Sequence, residues 1–241
     1  YNFSISTIEY DHIPTQVWFP PSESKLVHID LKTAGEKLGY IEGAGDNIPE
    51  AMRLLSYQVD VLEEADLSLE NLQQYDAIIL GIRALNTRER IPYMLPILHQ
   101  YAENGGTLIY QYNTAHRLKA EDFAPLPITL SRDRVTEEEA EVTFLNPKHP
   151  VLNSPNKITE EDFENWVQER GLYFPSEWDD QYETILSWHD TGETAKEGSL
   201  LVANYGEGYV VYTGISFFRE LPAGVPGAFR LFANLIALGN E

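Results

Sequence analysis

Tyr75-Asp76-Ala77-Ile78-Ile79-Leu80-Gly81-Ile82-Arg83-Ala84-Leu85-Asn86-Thr87 is the stretch whose pattern decides the fold. Asp76 to Gly81 reads as a strand whose centre, Ala77-Ile78-Ile79-Leu80, is apolar without alternation, as expected of a strand covered on both faces in a parallel sheet. Arg83, Asn86, Thr87 and Arg88 follow directly, at the strand end where open α/β sheets hold ligands.

The same rhythm of strand, turn and helix recurs on both sides. Upstream, Leu38-Gly39-Tyr40-Ile41 ends in Gly43-Ala44-Gly45-Asp46, and Pro49 opens a helical pattern through Leu55. Val59 to Leu62 predicts a second strand, and Ser68 to Gln74 a short helix with Ser68 as its N-cap. Downstream, apolar residues at Ile91, Met94, Leu95 and Leu98 predict a helix to Glu103, which Pro96 should kink or restart. Asn104-Gly105-Gly106 stops that helix before the strand Thr107 to Tyr110. Short alternations of this kind imply right-handed crossovers and a doubly wound, mostly parallel sheet of flavodoxin-like class.

Beyond Tyr112 the pattern loosens. Prolines 125, 127, 147, 150 and 155 punctuate a long section, and Glu137-Glu138-Glu139 reads as a solvated surface, since three neighbouring side chains point in different directions. Thr159-Glu160-Glu161-Asp162 has the form of a helix N-terminus. Tyr182 to Trp188, Ser199 to Ala203 and Gly208 to Thr213 predict strands, the last two joined by a turn at Gly206-Glu207-Gly208. A closing helix runs from about Gly227 to Leu238. Residues 1–35, with a period-two run at Leu26 to Leu31, read as an extension or linker from a preceding domain, and 36–241 as the α/β domain.

Composition removes several function classes. The 17 Lys and Arg against 38 Asp and Glu give a formal charge of −21, which repels nucleic acid. No stretch approaches the roughly 18 apolar residues of a membrane span. There is no cysteine, hence neither a thiolate metal site nor a thiol nucleophile. Opening on Tyr1-Asn2-Phe3-Ser4, without basic and apolar leader regions, the chain reads as a piece of a larger protein.

Four stretches together resemble one family: Gly39 to Asp46, Tyr75 to Thr87, Trp166-Val167-Gln168-Glu169-Arg170-Gly171-Leu172-Tyr173-Phe174, and Phe217-Phe218-Arg219-Glu220-Leu221-Pro222-Ala223-Gly224-Val225-Pro226-Gly227. They resemble the amidotransferase-like domain at the C-terminal end of bacterial PIG-L/LmbE-type deacetylases. The resemblance implies a class I glutamine-amidotransferase-like fold, akin to ThuA-like domains, and an upstream zinc-dependent deacetylase acting on acetylated sugars as its partner in the same chain. It implies no cofactor in these 241 residues. The compartment stays open, with export of the parent protein to the periplasm or beyond as one expectation.

Amidotransferase chemistry needs a thiolate on a tight strand-to-helix turn, a histidine to take its proton and a carboxylate to orient the histidine. Gln111-Tyr112-Asn113-Thr114 follows the expected nucleophile strand and offers only the hydroxyl of Thr114. The best match to the family's histidine stretch is Gly214 to Glu220, which sets Phe218 in the histidine position and leaves Glu220 as a carboxylate. Ser187 and Ser216 lie outside any Gly-x-Ser-x-Gly elbow. Gly43-Ala44-Gly45 lacks the third glycine of a dinucleotide loop, so a turn with Asp46 or Asn47 capping the next helix is favoured. The six histidines show no zinc spacing, and His189-Asp190 would need Asp46 or His116 to converge on it.

Binding remains. Arg83, Asn86 and Thr87, with Asn113 and His116 after the neighbouring strand, face the expected crevice, and Trp166, Glu169 and Arg170 could stack and bond a sugar; Asp46 and His189 complete the candidates. Equally, Arg83 and Arg170 could pin loops while Trp166 fills the core. The expected function is a non-catalytic accessory domain of a carbohydrate deacetylase, binding saccharide or assisting assembly. The alternatives are a ThuA-like sugar enzyme using carboxylate and histidine, and a homo-oligomerisation module of the kind glycosidases build on this fold.

Overall fold

The computed structural model describes residues 2–23 and 25–240. In chain order it contains β1 (Ser6–Tyr10), β2 (Ile13–Trp18), β3 (Lys37–Ile41), α1 (Ile48–Leu54), β4 (Gln58–Val61), α2 (Leu69–Leu72), β5 (Ala77–Leu80), α3 (Ala84–Thr87), α4 (Ile91–Glu103) and β6 (Thr107–Tyr110). There follow β7 (Ile128–Val135), β8 (Thr143–Phe144), β9 (Gly171–Trp178), β10 (Glu183–Thr184), β11 (Leu186–Ser187), β12 (Leu200–Tyr205), β13 (Gly208–Thr213), α5 (Phe217–Ala223) and α6 (Pro226–Ile236).

Seven strands form the central sheet in the order β10-β12-β13-β6-β5-β3-β4. The run from β4 to β13 is parallel, and β12 and β10 pair antiparallel beyond it. Numbered by chain order, the parallel strands read 2-1-3-4-5, the flavodoxin-like arrangement whose direction of winding switches between β3 and β5. Successive strand residues feed two separate cores, as the pleat requires. Ile79, Ile109 and Val211 pack with α1, α5 and α6 residues such as Met52, Leu221 and Phe232. Ile78, Leu80, Leu108 and Tyr110 pack with Leu72 of α2 and Met94, Leu95 and Leu98 of α4. Burial on both faces is the physical origin of the unbroken apolar runs in β5 and β6.

The local signals act as expected at several points. The Ser68 hydroxyl accepts the Asn71 N–H at 3.2 Å and starts α2. Asp46, rather than the N-cap residue Asn47, takes the Ile48 N–H at 3.0 Å and starts α1. Helix α4 begins at Ile91 and continues through Pro96, so the proline does not shift its start. Asp162 and Thr159 form a capping box, but on a 3₁₀ turn, Glu160–Phe163, rather than an α-helix.

Three elements differ from expectation. Leu26 to Leu31 forms no strand or bridge among the described residues. Its alternation is real, because Ile29 and Leu31 lean on the core while Leu26 is 97% exposed, yet the backbone is tied down by irregular bonds such as Arg230 to the Asp30 carbonyl. Residues 1–35 instead contain the antiparallel hairpin β1-β2, exposed on both faces. The loose section beyond Tyr112 holds β7, paired antiparallel with β9 through three register irregularities. Among the described residues no helix is long and apolar enough to cross a membrane.

Candidate functional site

The crevice at the β3/β5 switch is narrowed by its own groups to a cavity of ≈ 80 Å³. Asp46 accepts hydrogen bonds from the Tyr40 hydroxyl at 2.6 Å, the Ile48 N–H at 3.0 Å and the Ile82 N–H at 3.1 Å. Ala44 donates to the Ile82 carbonyl at 2.8 Å, and a side chain on Gly43 would collide with that same carbonyl. Glycine at position 43 is therefore set by close approach of two loops, while Gly45 has φ +95° and supplies the positive-φ turn. Burial and the Asp46 carboxylate together hold the Tyr40 phenol far above its ordinary range. Asp46 is thus committed to pinning the loops.

One strand along, the ends of β5, β6 and β13 meet at a different kind of surface. Arg83 has φ 56° and ψ 21°, a left-handed conformation that costs a side-chain-bearing residue about 1 kcal/mol. It is over-determined: the Arg83 N–H donates to the Tyr112 carbonyl at 2.7 Å, and the Arg83 carbonyl accepts from Asn86, Thr87 and the Thr87 hydroxyl. Asn113 is fully buried and accepts the Leu85 N–H at 3.0 Å, while Asn86 bonds the Thr114 and His116 backbone. Asn86, Thr87 and Asn113 therefore position backbone. Arg83 is different, because its buried Nε meets no acceptor.

Above this floor stands an aromatic group. The Tyr112 ring stacks on Phe218 at 5.5 Å and 16°, Tyr173 lies 5.8 Å from Tyr112, and His116, exposed, lies 6.3 Å from Tyr173. The other partner of Phe218 is the Arg219 guanidinium, 4.8 Å from its centroid. Arg219 Nε donates to Glu169 Oε1 at 2.5 Å, and the Ser216 hydroxyl donates to the same oxygen at 3.3 Å. Burial raises the Tyr112 phenol, and the nearby charges of Arg83 and Arg219 oppose that rise.

Glu169 and Arg170 are adjacent but leave the backbone for different neighbours. Arg170 is buried, donates to the Phe163 carbonyl at 2.6 Å and the Ala140 carbonyl at 2.8 Å, and lies 5.3 Å from the Trp166 ring. Burial lowers its guanidinium to about 10. Trp166 is 3% exposed, bonds the Asp162 carbonyl at 2.9 Å and packs against Phe163, Trp188 and Phe217. These two therefore pin and fill, at the floor of an acidic groove of ≈ 620 Å³ rimmed by Glu138, Glu139 and Glu164. His189 is exposed, with Nδ1 3.0 Å from the Asp190 carbonyl, and the Asp190 carboxylate is taken up by the Thr136 and Glu137 backbone. Glu220 is fully buried: Oε2 accepts the Val167 N–H at 3.0 Å and Oε1 meets no donor. Burial pushes its carboxyl up to about 7, against the pull of that N–H and of Arg170.

Of the residues expected from sequence, Arg83, Asn86, Thr87, Asn113, His116 and Glu169 are brought to the ends of β5, β6 and β13. Asp46 lies at the switch, Trp166 and Arg170 in the core beside the acidic groove, and His189 next to the Asp190 turn. Sequence inspection missed Arg219 and Tyr173 as members of this surface. The adjacency of Arg219 to Phe218 was a signal for the first; the positive φ of Tyr173, 53°, left no trace in composition.

The architecture is a doubly wound, mostly parallel α/β fold of flavodoxin-like class, and solved proteins described as ThuA-like and as a GMP synthase component share it. No family model and no curated protein sequence matches the chain. Among solved structures, a cytoplasmic protein of Salmonella typhimurium LT2 superposes with TM-score 0.58 at 14% identity, over 85% of this chain and 100% of that one. A protein described as ThuA-like from Bacteroides uniformis gives TM-score 0.55 at 14% identity, over 87% and 93%. One described as a GMP synthase component from Thermoplasma acidophilum gives 0.52 at 12%, over 85% and 94%. At such identities the likeness concerns the fold.

Proposed function

We propose that this chain is a non-catalytic accessory domain that binds saccharide at the ends of β5, β6 and β13 in the service of a carbohydrate deacetylase. The observation that carries the first part is the Tyr112–Phe218 stack. The two loops that would have to present a thiol and a histidine to one another meet instead through two aromatic faces. The deacetylase context rests on the resemblance of the four stretches quoted above. A sugar enzyme built on Asp46, Glu169, His116 or His189 would need two of them free and convergent. Asp46 is saturated, Glu169 is held by Arg219 and Ser216, and His189 bonds its neighbour's carbonyl.

The test is turnover by the purified chain. Neither glutamine hydrolysis nor p-nitrophenyl acetate hydrolysis is expected above the buffer rate, followed by ammonia release and absorbance; sustained turnover of either would overturn the non-catalytic reading.

A further inference from the structure

The guanidinium groups of this acidic chain are mostly neutralised. Arg53, Arg88, Arg90 and Arg230 pair with carboxylates, and Arg170 is satisfied by carbonyls. Arg117, Arg132 and Arg134 also lack a partner among the described residues but are exposed, whereas Arg83 is half-buried and its side chain, the buried Nε included, has no hydrogen-bond or ion-pair partner there. A half-buried cation lacking an acceptor loses solvation without return, so retaining one points to a ligand that supplies the acceptor. Arg219 gives only its Nε to Glu169, which holds the guanidinium 4.8 Å over the Phe218 ring and leaves both Nη groups without a partner among the described residues. A planar donor fork pre-oriented in this way matches an oxyanion.

The Arg83 backbone N–H holds the Tyr112 carbonyl, the Arg219 guanidinium lies over the Phe218 ring, and the charges of both arginines act on the Tyr112 phenol, which puts both beside the Tyr112–Phe218 stack. Tyr173 and the exposed His116 form the open aromatic side of the same surface. Such a surface suits the apolar face of a pyranose ring, with its anionic substituent at the arginines.

Resting on the saccharide-binding reading above, we propose that the ligand is an acidic saccharide, its carboxylate or phosphate held between Arg83 and Arg219 and its ring against Tyr173 and His116. The backbone at Arg83 is fixed by hydrogen bonds that its side chain does not make, so replacing the guanidinium leaves those bonds in place.

Titration calorimetry on the whole chain with glucuronate, glucose 6-phosphate, glucose and inorganic phosphate tests this, with Arg83→Gln and Arg83→Lys beside the wild type. At least one acidic sugar should bind about tenfold or more tighter than glucose, and tighter than inorganic phosphate, and the two acidic sugars distinguish carboxylate from phosphate. Arg83→Gln should abolish that preference, and Arg83→Lys should restore part of it. Equal binding of glucose and both acidic sugars, or no binding of any acidic sugar, overturns the proposal; in the first case saccharide binding stands and only the anion is refuted. Inorganic phosphate binding as tightly as glucose 6-phosphate also overturns it, since the ring would then contribute nothing. The selectivity of the wild type decides the matter even if both variants fail to fold.

Discussion

Glu220 carries a carboxyl group into the core at the start of the chain's last two helices, and one of its oxygens finds no donor. Its folded-state value of about 7 lies above the ordinary 4.5, so the folded chain holds this proton more tightly than the unfolded chain. The stabilisation is complete below about pH 4.5 and is lost as pH rises through about 7, with an upper bound on the order of 3–4 kcal/mol. Glu220→Gln keeps the shape and removes the titration. Urea denaturation of both proteins from pH 4.5 to 7.5 should show the variant gaining on the wild type as pH rises; a constant difference would place this carboxyl in a solvated environment instead. At this scale the sequence was legible where it concerned absence. A thiol cannot be present in a chain without cysteine. What it could not reveal is satisfaction: Arg83 and Arg170 look alike as letters, yet one is surrounded by carbonyls and the other has none.

Elements were legible wherever burial on two faces wrote a continuous apolar run, as in β5 and β6, or where a cap residue marked a start, as Ser68 does. They were illegible where pairing is irregular. Strand β7, with the sequence Ile128-Thr129-Leu130-Ser131-Arg132-Asp133-Arg134-Val135, is apolar mainly at its ends, and three register irregularities against β9 destroy its alternation. Leu26 to Leu31 shows the converse, since alternate contact with a core produces the period of a strand without a ladder. Close approaches between elements were equally hidden. Gly227, in the first turn of α6, lies against the Asp162 carbonyl of the 3₁₀ turn, where an added methyl group has no room. Gly227→Ala should cost roughly 1–3 kcal/mol by overpacking despite its better helix propensity, measured as a lower urea midpoint. A neutral or stabilising result would mean that α6 and the turn can separate freely.

Across the whole molecule, stability is unevenly distributed. The β1-β2 hairpin exposes Ile8, Tyr10, Val17 and Trp18 and contributes no residue to either core, whereas Lys25 and Val27 already touch the α5 terminus at Ala223 and Gly224. An isolated two-stranded hairpin is marginal in water. Limited proteolysis should therefore cut first around Asp11-His12, and removal of residues 1–22 should leave the melting temperature within about 2 °C. A large drop would show that the hairpin braces the body. The parallel sheet carries a different consequence. Strands β6 and β13 are neighbours at its centre, yet everything between Tyr110 and Gly208 separates them along the chain. Closing so long a loop costs roughly 4 kcal/mol by the logarithmic law. During synthesis from the N-terminus, β6, every residue of which is buried in the folded chain, stands as the bare rim of a four-stranded half-sheet until β13 emerges, so the nascent chain is at its most aggregation-prone just before the strand that seals it arrives.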